Sequence, residues 1–249
     1  MPPLNQTCRW QPVSSRGEAE VLTLTAHQLR TPLNDLLGTS EFLFGEIQNR
    51  SRDVDWQQLY NSFRQRLLNL LGNLDHVILL TDMQAKAPHF AHNTSSLDDV
   101  LEVVQQEVAR FAVPYEVKIT PPPAGLGPVG GDWFFLKKAL SCLLETAVKF
   151  CLPGGEVQIQ GQSFPEEVRL TMESRGLSLS KTDLARFFDL SMPFTAEMPA
   201  GDLGLAPAVA KRIITLLGGT VQIQNVKPAG VRFDLILPRR YLPGNNPLG

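Results

Sequence analysis

Apolar residues recur along the first third of the chain with a helical period. Leu22, Ala26, Leu29, Leu33, Leu36, Ser40, Leu43 and Ile47 are spaced alternately four and three apart, a heptad seam broken only by Ser40. The polar stretch NRSRDVD interrupts it, with Asp53 or Asp55 as the N-cap of the next helix. A second seam runs through Leu59, Phe63, Leu67, Leu70, Leu74, Val77 and Thr81. Two long helices joined by a short turn predict an antiparallel hairpin. One hairpin has too little partner surface to bury a stripe on both helices, so pairing with a second copy into a four-helix bundle is the expected solution.

AKAPHFAHNTSS reads as a linker, and the pattern then changes. Ser95 or Ser96 caps a helix reaching about Phe111, with Leu97, Val100, Leu101, Val104 and Val108 on one face. YEVKI alternates like a strand, PPPAGLGP is a turn-rich loop, and DWFFLKKALSCLLETAVKF is a helix apolar on much of its surface. EVQIQGQS, EVRLTMES, TVQIQN and VRFDLIL each alternate with period two, as half-buried strands do. Between them fall a short helix near Asp183–Leu190 and another from Leu205 to Leu217, ended by Gly218-Gly219. Helices interleaved with strands in this order predict an α/β sandwich, one mixed sheet with helices on one face. The expected class is therefore α+β. Residues 1–14 are a flexible tail, 15–87 the hairpin, 88–94 a linker, 95–241 the α/β unit and 242–249 a C-terminal tail.

Composition narrows the function classes. A formal net charge of −2 gives no electrostatic footprint for nucleic acid or anionic lipid. No apolar run approaches the roughly 20 residues needed to span a bilayer, and the N-terminal residues do not resemble a secretory signal. Three cysteines, Cys8, Cys142 and Cys151, have no zinc-site spacing and cannot pair completely. No metal site, membrane or nucleic-acid partner is expected, and a reducing cytoplasm is the simplest location.

The chemistry centres on TAHQLRTPLNDLL. His27 lies one position past the seam residue Ala26, at the flank of the apolar stripe. A lone helical histidine is ordinarily a surface residue. Here Pro32 removes the hydrogen bond to the Gln28 carbonyl and loosens the helix just past His27. A neutral imidazole near pH 7 is also a competent nucleophile toward phosphorus.

HQLRTPLNDLLG closely resembles the H-box of bacterial two-component histidine kinases, with His27, Leu29, Arg30, Thr31, Pro32 and Leu33 all in place. The resemblance runs over nearly the whole chain: a dimerisation and phosphotransfer hairpin, then a Bergerat-type ATP-binding domain. It implies that His27 is the phosphoacceptor. The family's acid after the histidine is here Gln28, which hydrogen-bonds but cannot take a proton. Losing a general base costs about 10²–10⁴ in rate. Thr31 corresponds to the polar residue that helps position water for receiver dephosphorylation; a simple helix hydroxyl is an equal alternative. Arg30 either contacts the phosphoryl group or solvates the bundle.

The ATP boxes depart further. LKKALSCLLETAVKF resembles the N-box, but its two asparagines are Cys142 and Thr146, and the second is the family's magnesium ligand. Lys149 remains, as a phosphate contact or a surface lysine. In MESRGLSLS, aligned on Gly176, the adenine-reading aspartate becomes Ser174 and the second glycine Ser178, while Glu173 falls one residue early and faces the other way. RFFDLSMPF resembles the aromatic F-box. AGDLGLA resembles the glycine-rich loop, with Leu203, Gly204 and Leu205 kept but Ala200 and Asp202 in place of glycines. Asp202 would repel phosphate oxygens.

Taken with the resemblance, these residues imply a phosphotransfer protein, built like a kinase core, that exchanges phosphoryl groups between His27 and receiver-domain aspartates of response regulators. It resembles the stand-alone kinase-like histidine phosphotransferases. A homodimer is expected, an upstream histidine kinase is a further partner, and the receiver supplies Mg²⁺. Lys149, Gly176, Leu203, Gly204 and Leu205 mark the degenerate nucleotide site, with no cofactor held stably. The alternatives are an active soluble histidine kinase using ATP, and a pseudokinase scaffold without phosphotransfer.

Overall fold

The computed structural model describes residues 94–189 and 205–240 throughout, together with helical positions 29, 31, 32, 34–36, 38–40, 42, 43, 63, 66, 69, 70, 72, 73, 75–77, 79, 80 and 83. Leu29, Thr31 and Pro32 are helical, as are residues 34–36 on the far side of the proline. Arg66 meets Asp35 at 2.8 Å, which brings the two helical stretches side by side. Both side chains are about half exposed, so the pair contributes little to stability. Among the described seam positions, Leu70 is buried and Phe63 and Val77 are half-buried.

The α/β unit begins with β1 (Thr94–Ser96), followed by α1 (Leu97–Ala112), β2 (Lys118–Ile119), β3 (Pro128–Gly130) and α2 (Trp133–Phe150). Then come β4 (Glu156–Ser163), β5 (Glu167–Arg175), α3 (Lys181–Arg186), α4 (Leu205–Leu216), β6 (Thr220–Asn225) and β7 (Gly230–Pro238). Five strands form one sheet in the order β2-β4-β5-β7-β6. Among the described residues, only β2 and β4 pair in parallel; the other pairs of this sheet are antiparallel. The mixed sheet expected from the interleaved pattern is present.

Period-two alternation gives the sheet one apolar face. Val157 and Ile159, Val168, Leu170 and Met172, and Val231, Phe233, Leu235 and Leu237 are buried, and the residues between them face water. Helix α2 lies against this face and buries ten residues, which explains a sequence apolar on most sides. Its start is fixed by Asp132, whose carboxylate accepts from the Phe134 and Phe135 amides. Ser96, rather than Ser95, caps α1 by accepting from the Asp99 amide.

Two local expectations change. The end of the linker sequence, Thr94–Ser96, is a strand paired antiparallel with Pro128–Gly130 of the turn-rich loop. YEVKI contributes only two strand residues, because Val113–Tyr115 form a 3₁₀ turn and Glu116 takes the left-handed conformation at φ 57°. The core also extends beyond the sandwich. Leu80 and Met83 of the second helical stretch are buried in the same hydrophobic cluster as α2 and the sheet.

Candidate functional site

His27, Gln28, Arg30, Leu203 and Gly204 lie outside the described residues. Of the H-box polar positions, Thr31 is described: it is helical and exposed. Lys149, Gly176 and Leu205, which the resemblance assigns to a nucleotide site, are described, as are the substituted positions Cys142, Thr146, Ser174 and Ser178.

Cys142, Thr146 and Lys149 follow one another at spacings of four and three, so they form one stripe along α2. Cys142 and Thr146 are both buried. The Thr146 hydroxyl donates to the Cys142 carbonyl at 2.7 Å, bonding back onto its own helix. The Cys142 Sγ sits 3.4 Å from Nε2 of His76, with the donor set by the imidazole tautomer. The Lys149 ammonium lies 5.6 Å from the centroid of the Phe111 ring on α1, a cation–π contact.

Ser174 ends the buried row of β5, in register with Val157 on β4 and Val231 on β7. It is fully buried, and its hydroxyl has no hydrogen-bond partner among the described residues. The neighbouring Glu173 is held by Arg175 at 3.2 Å on the open face of the sheet, where strand geometry sends it. Glu173 therefore cannot substitute for an aspartate at Ser174. A buried hydroxyl without a partner is a standing cost, and Ser174→Ala is expected to raise stability by about 1 kcal/mol. Urea unfolding measures this; a loss of stability would mean that the hydroxyl has a partner in solution.

The turn after β5 is stitched to the end of α2. The Leu177 amide donates to the Phe150 carbonyl at 2.9 Å and the Leu152 amide to the Arg175 carbonyl at 3.0 Å. Gly176 lies between these two bonds, and a Cβ there would stand 2.2 Å from the Phe150 oxygen. Further along, Ser178 Oγ accepts from the Gly230 amide at 3.0 Å. The Asn225 side chain clamps Leu179, accepting from its amide at 2.9 Å and donating to its carbonyl at 2.7 Å. Sequence reading did not single out Asn225; its only signal is an amide side chain ending the alternating TVQIQN strand.

The first six residues of α4, Leu205 through Ala210, are all buried. Because successive helical residues point about 100° apart, six in a row leave no side of this turn exposed. Burial also raises the Cys151 thiol above its ordinary value, which keeps it a poor thiolate. The positions that the resemblance assigns to a nucleotide site thus hold a helix-bonded threonine, a buried serine and a lysine over a phenylalanine ring. None of the substituted positions described presents a carboxylate or a carboxamide.

Residues 131–241 match the family model described as histidine kinase-, DNA gyrase B- and HSP90-like ATPase. Over 241 residues the chain is 26% identical to the signal transduction histidine-protein kinase/phosphatase MprB of Mycolicibacterium paratuberculosis, covering 92% of this chain and 45% of that protein. It is 24% identical over 237 residues to the histidine protein kinase DivJ of Caulobacter vibrioides, covering 91% and 38%. The solved structure of the Acinetobacter baumannii histidine kinase AdeS aligns with a TM-score of 0.61 at 22% identity, covering 86% of this chain and 98% of that one, a likeness of fold. The chain spans less than half the length of these curated relatives. Among the described residues no helix is long and apolar enough to cross a membrane.

Proposed function

Because residues 131–241 match the histidine kinase-type ATPase family model in a chain similar to two-component histidine kinases, we propose that this protein carries a phosphoryl group on His27 and exchanges it with receiver-domain aspartates. It does so as a cytoplasmic homodimer whose hairpins form a four-helix bundle, and its ATP use has been lost. The observation that carries the loss is Ser174: where the resemblance calls for an adenine-reading carboxylate, the side chain is a fully buried hydroxyl. Thr146, bonded back to its own helix, stands at the magnesium position. On this reading the residues present do not fit a magnesium nucleotide.

In the proposed reaction the neutral His27 imidazole attacks the phosphorus of an aspartyl phosphate. A P–N bond forms as the acyl O–P bond breaks, and the aspartate carboxylate leaves. That donor is already activated, so Gln28 needs only to hydrogen-bond the ring, not to remove a proton. Arg30 and Thr31 orient the phosphoryl oxygens, and the receiver brings its own Mg²⁺. An upstream histidine kinase charges the first receiver.

A second reading, an active histidine kinase, is the one that relatedness favours. MprB and DivJ are kinases by name, and each likeness runs through more than nine-tenths of this chain. The comparisons back that reading better than transfer alone, while the side chains of the site favour transfer alone. Thermal melting with saturating Mg-ATP separates them. A ligand present at 100 times its Kd stabilises by about 2.7 kcal/mol, whereas a protein that has lost ATP use keeps an unchanged melting temperature. A rise of several degrees would move the proposal to the kinase.

A further inference from the structure

Among the described residues, the two edges of the five-stranded sheet are built differently. At one, β2 is two residues long and carries the exposed Lys118, and both features discourage further pairing. At the other, β6 runs for six residues, TVQIQN, with neither a charge nor a proline. Its Val221-Gln222-Ile223-Gln224 repeats the Val157-Gln158-Ile159-Gln160 of β4, an interior strand with β2 on one side and β5 on the other. The edge strand is written like an interior one.

Backbone pairing leaves half of that strand open. The Val226 amide donates to the Gly230 carbonyl at 3.0 Å, so the bonded pairs with β7 recur at Gln224, Gln222 and Thr220. The N–H and C=O groups of Val221 and Ile223 therefore point away from β7, and they have no partner among the described residues. We propose that β6 is an interface for a second copy of this chain, whose own β6 pairs with it antiparallel about a two-fold axis at Gln222. In that register Val221 lies opposite Ile223 of the second copy, and each supplies the donor and acceptor that the other lacks. Both side chains stay on the apolar face, where Ile223 is only half-buried. On the open face Gln222 meets its own copy. A carboxamide both donates and accepts, so it tolerates itself there, whereas a charge would repel its copy. The contact is isologous and separate from the hairpin seams, so it would join hairpin dimers into larger assemblies. It stands whether or not His27 carries a phosphoryl group.

Amide exchange of the full chain, read residue by residue by NMR at low and high protein concentration, tests this. The Gln222 and Gln224 amides, which face β7, report that the strand is folded. In the native protein, exchange at Val221 and Ile223 is expected to slow about tenfold or more as concentration rises. Gln222→Lys sets like charges opposite each other on an exposed side chain, and is expected to abolish that slowing. An equimolar mixture of Gln222→Lys and Gln222→Glu is expected to restore it. Fast exchange at Val221 and Ile223 at every concentration, with Gln222 and Gln224 protected, would overturn the proposal. Slow exchange indifferent to both concentration and Gln222→Lys would also overturn it, since the edge would then be covered from within the same chain.

Discussion

Gly176→Ala is expected to destabilise the protein by about 3 kcal/mol or more, although it adds a single methyl group. The added carbon would lie 2.2 Å from the Phe150 carbonyl oxygen, 2.8 Å from the Leu152 nitrogen and 3.0 Å from the Cys151 carbonyl carbon. All three are backbone atoms, so no rotamer change relieves the clash. The hydrogen bonds Leu177 to Phe150 and Leu152 to Arg175 fix the approach on either side. The end of α2 and the end of β5 would have to part, releasing both bonds. Urea unfolding gives the result directly; a loss below about 1 kcal/mol would show that the two segments separate easily. This glycine is required by packing, so its presence in the motif does not argue for a bound nucleotide.

Phe187→Ala should be comparably severe, costing about 3–5 kcal/mol. Phe187 is fully buried at the end of α3, with ring centroids 5.9 Å from Phe150, 5.8 Å from Phe233 and 5.3 Å from Phe188. It therefore ties together the end of α2, the centre of β7 and the segment that follows α3. Truncation leaves a cavity bounded by rings on rigid elements, which collapse poorly. Phe134→Ala is the control: that ring is 59% exposed, and its loss should shift stability by no more than about 0.5 kcal/mol. Equal effects from the two substitutions would contradict the packing described.

The parts of the fold that were legible in the sequence are those with a sustained period. β4 covers EVQIQGQS, and Val168, Leu170, Met172 and Ser174 fall on the buried side of β5 as the alternation requires. The same period-two logic separates Ser174 from Glu173. Three-residue strands carry no period, so the β1–β3 ribbon was hidden in a linker and a loop. The burial of His76, Leu80 and Met83 beside the α/β unit was hidden for a different reason. The seam leaves Leu79, Leu80 and Met83 out although they are apolar, and the burial of His76 has no signal until Cys142 is known to face it. At the candidate site the substitutions were visible, but their consequences were not. Only the structure returns the Thr146 hydroxyl to its own helix and closes the start of α4.

The measurement that tests the central claim most directly is transfer of radiolabelled phosphate onto the full chain. Two donors are compared, receiver domains charged with acetyl phosphate and Mg-ATP, each beside a His27→Ala control. Phosphoryl exchange through His27 without ATP use predicts acid-labile label from a phosphorylated receiver, none from Mg-ATP, and none in the control with either donor. Label acquired from Mg-ATP and lost in His27→Ala would contradict it and establish a working kinase. A folded protein that takes label from neither donor would contradict phosphoryl transfer through His27 altogether.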